Sequence, residues 1–216
     1  MADDLVSISL FILSSIMIVV NPIGAMLVYN SLTTSMDFET KRGVAAYACR
    51  LSAVVLIFFT LFGSHLLSLF GITINAFTIA GGVLLFGIGM EMVYARTSRA
   101  KMTATEKYES IDADEVSSMP LAFPMIAGPG TITTVIVLSK DVPLFTDPIH
   151  LGIIIASILV TIIITYTLFI FAEKISNHIG QREYRVVNRL MGIMLMAIAV
   201  QFIITGISNA FPSLVS

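Results

Sequence analysis

Two short clusters carry the chemistry of this sequence: Val20-Asn21-Pro22-Ile23-Gly24 and Ala127-Gly128-Pro129-Gly130-Thr131. Each sets proline and glycine into a run of aliphatic residues. Proline removes an amide donor and clashes with the carbonyl four residues back. In hydrocarbon such unpaired backbone groups are costly, and they persist only where protein, water or a ligand satisfies them. A simple proline kink would account for either cluster alone. Two of them, with Pro22 and Pro129 107 residues apart, point instead to paired broken helices around a binding site.

The electrostatics of such a pair are specific. Half-helices starting near Gly24 and Thr131 aim amides at the breaks, about half a positive charge each. Half-helices ending near Val20 and Ala127 aim carbonyls there, about half a negative charge each. A small zwitterion, such as a free amino acid, matches that pattern. Gly24, Gly128 and Gly130 let backbone approach the ligand and leave little room for a large side chain. Asn21 and Thr131 can each donate and accept. Ser14, Ser15, Thr133 and Thr134 can line an approach, although hydroxyls in membrane helices commonly bond their own helix.

Ionisable residues near the membrane are few: Arg50, His65, Glu91 and Glu173. Arg50 and Glu91 should lie at similar depth on consecutive helices. An Arg50–Glu91 ion pair is therefore expected, in a coupling or gating role; the alternative is that each snorkels to the interface. His65 reads as interfacial. Gln201 should make an interhelical hydrogen bond. Ala45, Cys49 and Ala53, and Ala76 and Ala80 followed by Gly81-Gly82, suit close helix contact. Met191, Met194 and Met196 read as packing. Three histidines and one cysteine give no zinc spacing, so no metal or cofactor is expected.

The elements that must position these clusters follow from composition. Of 216 residues 56% are apolar and 12% charged, with a net charge of −2 and a mean hydropathy of +0.94. A soluble domain carries about 25% charge, so this chain cannot cover a globule with polar surface. The charge gives no pull toward nucleic acid. Apolar stretches long enough to span a bilayer run over about 5–35, 43–70, 73–95, 119–139, 148–173 and 187–209. No alternating pattern suggests strands. The expected fold is all-α: six transmembrane helices, with spans 1 and 4 broken near the midplane.

Residues 96–118 form the one long polar connection. They separate a first three-helix repeat, 1–95, from a second, 119–216. Three is odd, so the second repeat starts on the opposite side of the membrane, which makes the repeats inverted. Orientation follows lysine and arginine. One set of loops holds Lys140 alone; the other holds Lys41, Arg42, Arg50, Arg96, Arg99, Lys101, Lys107, Lys174, Arg182, Arg185 and Arg189. Both termini are expected outside, in a multi-pass protein of the inner, cytoplasmic membrane. The opening Met1-Ala2-Asp3-Asp4 is acidic where a signal peptide is basic, so the first span is expected to stay.

Asn21-Pro22-Ile23-Gly24 with Ala127-Gly128-Pro129-Gly130-Thr131 resembles the MarC family of integral membrane proteins. Leu32-Thr33, Phe123-Pro124-Met125, the length and the six-span plan fit as well. The chain looks most like the archaeal SnatA-like branch, small neutral amino acid transporters, with distant kinship to LysE-type exporters. That resemblance implies ion-coupled secondary transport of glycine and alanine, toward protons rather than sodium, by way of the two broken segments. An aquaporin-like channel for small neutral solutes is the competing reading, and an exporter of another metabolite a third. No sequence signature of an ATP-driven pump or of a membrane enzyme appears.

Overall fold

Helices that are apolar all round have no water-facing stripe; they belong in a core or a bilayer. The computed structural model describes residues 2–94, 117–140, 148–178 and 181–212. The described residues are helical throughout, apart from turns and connections, with no strand among them. In chain order the helices are α1 (Ala2–Val20), α2 (Pro22–Leu32), α3 (Phe38–Leu69) and α4 (Ile74–Val93). A wide-turned segment, Ser117–Ile126, then precedes α5 (Pro129–Ser139), α6 (Pro148–Ile170), α7 (Ala172–His178) and α8 (Gln181–Ala210). Leu5–Leu32, Phe38–Leu69, Ile74–Val93, Pro148–Ile170 and Arg185–Ala210 are each long and apolar enough to cross a membrane. Ser117–Ile126 and α5 make a sixth span only as a pair, bent by 49°. Most of the 96–118 connection lies outside the described residues.

Local chemistry sets the boundaries. α3 starts at Phe38, earlier than apolarity alone suggests, because Asp37 caps it: its carboxylate accepts from the amides of Glu39 at 3.2 Å and Thr40 at 3.4 Å and from the Thr40 hydroxyl. The chain turns after α3 at Gly71, whose φ of 68° suits glycine. Within Ser117–Ile126, Met119 and Phe123 each precede a proline and are extended rather than helical; both X–Pro bonds are cis.

Two packing groups result. α3 lies against α6, with α1, α2, α5 and Ser117–Ile126 around them. Ile16, Met26, Leu56, Leu121, Ile126, Ile154, Ile158 and Phe169 fill that core. The second group is α4 on α8. Its seam is made of glycine. A Cβ at Gly89 would stand 2.9 Å from the Gly192 carbonyl oxygen, and one at Gly192 would stand 2.8 Å from that of Gly89. The backbones therefore touch. Ala76 and Ala80, expected in close helix contact, are exposed; Gly82 faces Ala199 and Ile203 of α8, while Gly81 faces Thr133 of α5.

The arrangement corrects two expected pairings. Arg50 and Glu91 are both exposed and make no ion pair with each other. α3 and α4 are consecutive in sequence, but α4 lies against α8 and α5, so residues at matching depth do not meet. Gln201 bonds its own helix, Nε2 donating to the Thr205 hydroxyl at 3.3 Å.

Candidate functional site

Pro22 has no amide to continue α1, so that helix stops at Val20. Asn21 bridges the break in the left-handed conformation, φ 48° and ψ 66°, which asparagine tolerates better than most residues. Its amide donates to the Met17 carbonyl at 3.0 Å, and its side-chain Oδ1 accepts from the Gly24 amide at 3.2 Å. A Cβ on Gly24 would collide with the Asn21 carboxamide. Gly24 is therefore needed for this cap. Among the described residues nothing donates to the carbonyls of Ile18, Val19 and Val20, so the C-terminal end of α1 keeps free acceptors.

The second break is built differently. Gly128 precedes α5 with no side-chain cap, and Pro129 occupies the first turn. The Ile132 amide donates to the Gly128 carbonyl at 2.9 Å. Among the described residues the amides of Gly130 and Thr131 reach no backbone acceptor, and Thr131 is buried. Buried amides are nearly always paired in proteins, so two adjacent amides without partners describe a place for an acceptor. Gly128 is sterically fixed: a Cβ there would collide with the Pro124 carbonyl.

The fold brings the breaks together. α1 packs against α5, and α2 against Ser117–Ile126. A Cβ on Gly130 would lie 3.7 Å from Val19, 2.8 Å from Leu85 and 3.4 Å from Ile88. Of the residues expected at the site, Val20, Pro22, Gly24, Ala127, Gly128, Gly130 and Thr131 are buried, Asn21 and Ile23 are half-buried, and Pro129 is exposed. Thr134 donates to the Gly130 carbonyl at 2.9 Å and Ser14 to that of Phe11 at 3.0 Å. These two hydroxyls serve their own helices. Ser15 and Thr133 are buried.

Two contacts at opposite ends of α3 were not evident from the sequence. Near its start, Tyr29 of α2 stacks on Phe169 of α6, ring centroids 4.4 Å apart and 4° from parallel. The Tyr29 hydroxyl donates to the Lys41 carbonyl at 2.9 Å, and Lys41 Nζ lies 3.4 Å from a Glu173 carboxylate oxygen. Near its other end, Ile136 of α5 fills the notch at Gly63, where any side chain would displace it. A signal for Tyr29 existed: it stands two turns after Pro22, and a phenol on an apolar face needs a partner. Its stacking on Phe169 had none. A cavity lies outside each contact. One, of about 410 Å³, is lined by Tyr29, Asn30, Phe38, Lys41, Arg42 and residues 169–174. The other, of about 470 Å³, is lined by Ser64, Leu67, Ser68, residues 71–74 and Lys140.

Known proteins repeat this sequence over nearly its whole length. Residues 6–211 match the model of the "MarC family integral membrane protein". A UPF0056 membrane protein of Methanocaldococcus jannaschii, MJ1677, is 38% identical over 91% of this chain and 94% of its own. YvbG of Bacillus subtilis, also a UPF0056 membrane protein, is 34% identical over 98% and 96%, and YhcE of Escherichia coli 33% over 91% and 90%. No solved structure matches. With several apolar helices of spanning length and matches that take in both breaks, the chain belongs to the MarC family of multi-pass integral membrane proteins.

Proposed function

We propose that this protein is a secondary transporter of small neutral amino acids, glycine and alanine first among them. The observation that carries the reading is the meeting of the two breaks. The unpartnered amides of Gly130 and Thr131, with the Thr131 hydroxyl, suit a carboxylate. The free carbonyls ending α1 suit an ammonium group. Val19, Leu85 and Ile88 crowd Gly130, which favours a ligand with a hydrogen or a methyl side chain. No charged side chain enters the pattern, in keeping with a net-neutral solute.

The packing supports an inverted repeat. Take α1 to correspond to Ser117–Ile126, α2 to α5, α3 to α6 and α4 to α8. Then the α3 contact with Ser117–Ile126 has its partner in α6 on α1, and α3 on α5 has its partner in α6 on α2, while α3–α6 and α4–α8 lie on the axis. Adding 107 to Tyr29 gives Ile136, and adding 107 to Phe62 gives Phe169. The Tyr29–Phe169 stack and the Ile136–Gly63 contact, one residue past Phe62, thus lie near corresponding places at opposite ends. In this reading they are the two gates, both closed, with a vestibule outside each. Alternating access opens one at a time. The basic loops put the Tyr29 gate on the cytoplasmic side and both termini outside. Coupling to protons, or to sodium, would make transport concentrative.

The test uses the purified chain in liposomes loaded with unlabelled glycine. Uptake of labelled glycine is followed with and without an imposed pH or sodium gradient. Saturable counterflow is the expected result, and accumulation under one gradient identifies the ion. Flux that neither saturates nor exchanges would overturn the carrier in favour of a channel. Absence of exchange with glycine and alanine would remove the substrate assignment.

A further inference from the structure

Four elements meet at the Tyr29 end, and polar groups tie them crosswise. Lys41 of α3 holds two of them at once. Its carbonyl accepts from the Tyr29 hydroxyl of α2 at 2.9 Å, and its Nζ lies 3.4 Å from a Glu173 carboxylate oxygen of α7. The next residue, Arg42, donates to the Tyr166 hydroxyl of α6, on the helix whose Phe169 stacks on Tyr29. The Lys41 side chain is only 20% exposed, although Glu173 is 75% exposed; a lysine without a tie would extend to water. Glu39 also faces Arg42, but from the same helix. The closure at the other end, Ile136 in the Gly63 notch, is a contact of apolar atoms. An ion pair between two elements contributes only while they stay together, so it biases an equilibrium between closed and open forms.

We propose that the Lys41–Glu173 pair, backed by Arg42–Tyr166, is a latch that holds the Tyr29 end shut. The proposal rests on the reading of the Tyr29–Phe169 stack as a gate, and it adds what sets the bias of that gate. Opening draws α6 and α7 away from α2 and the start of α3, and it breaks both ties. A partly exposed pair contributes modestly, which suits a closure that releases in every cycle.

The chain carries its own reporter. Cys49, its one cysteine, is 4% exposed. It lies about 12 Å beyond Lys41 along α3 and close enough to Tyr29 to interact with it. The rate at which a small methanethiosulfonate labels Cys49 tracks the open fraction when closing is fast. In the purified full chain, without amino acid, Glu173→Gln should raise that rate about threefold, within the range of a partly exposed ion pair. Lys41→Gln should do the same. The double change should raise it no further, because either single change already breaks the pair. Lys41→Arg should keep the unaltered rate. So should Glu39→Gln, which removes a carboxylate from the same end but none that bridges two elements. A second reporter, Val135→Cys in a Cys49→Ala background, is buried beside the Ile136 closure, and Glu173→Gln should not speed its labelling. General loosening would speed both reporters and overturn the latch. So would unchanged labelling of Cys49 in Glu173→Gln, or single effects that multiply in the double variant. The labelling needs no substrate. A chain that shows this pattern but fails glycine counterflow keeps the latch and loses the carrier; counterflow with a Cys49 rate indifferent to Glu173 loses the latch alone.

Discussion

Gly128 and Thr131 do opposite things at the second break. Gly128 is a steric requirement, because the Pro124 carbonyl occupies the space a side chain would take. Gly128→Ala should force a backbone shift costing about 1–3 kcal/mol and reduce glycine binding along with thermal stability. Thr131 is a chemical contribution. Thr131→Ala removes the hydroxyl beside the two amides and should weaken binding about tenfold, the worth of one hydrogen bond, with an unchanged melting temperature. Isothermal titration and thermal denaturation separate the two. An equal fall in both quantities for Thr131→Ala would make the hydroxyl structural. Asp37 gives a pH dependence. The Thr40 hydroxyl and amide hold its carboxyl below the ordinary carboxylate range. A depressed acid contributes stability above its unfolded pKa and loses it as pH falls through the folded value. Melting temperature should therefore drop in the acid range below about pH 4, and Asp37→Asn, a neutral cap, should flatten that part of the profile.

At the scale of elements, the α4–α8 seam depends on the absence of side chains. Gly89→Leu would drive a side chain into the Gly192 backbone, whose carbonyl oxygen stands 2.9 Å from a Cβ at that position. The pair should separate and the melting temperature should fall by several degrees, as for overpacked cores. The same change at Gly87, where a Cβ meets nothing within 4 Å, should be tolerated. The seam was partly legible in the sequence, since small residues at helical spacing announce close approach. Which small residues face the partner was not: Ala76 and Ala80 fit the spacing and point outward, because the azimuth of a helix apolar all round is set by its neighbours and not by its own pattern. Arg50 and Glu91 show the same limit. Depth along a helix can be counted from residues, but adjacency in space cannot.

Over the whole molecule, the two closed contacts at Tyr29–Phe169 and Gly63–Ile136 make a prediction about motion. Tyr29→Cys with Phe169→Cys, in a Cys49→Ala background, places two thiols on facing elements. Joining them with a short bifunctional thiol reagent should stop counterflow, and reductive release of a cleavable linker should restore it. Counterflow that continues while the two are joined would mean that the Tyr29 end does not open during transport.

The sequence by itself determined that this chain lives in a membrane, where its apolar stretches are, where two of them break, and that glycine and proline at the breaks leave backbone groups in need of partners. These are local consequences of composition and of missing amides. Only the tertiary structure decided that the breaks meet, that the first is capped by its own asparagine while the second keeps its donors free, that α4 pairs with α8, and that Tyr29 meets Phe169 across the two halves. Those outcomes depend on which helix faces share a core. In helices that are apolar on every side, no residue pattern marks the face that will be buried, so packing has to choose it.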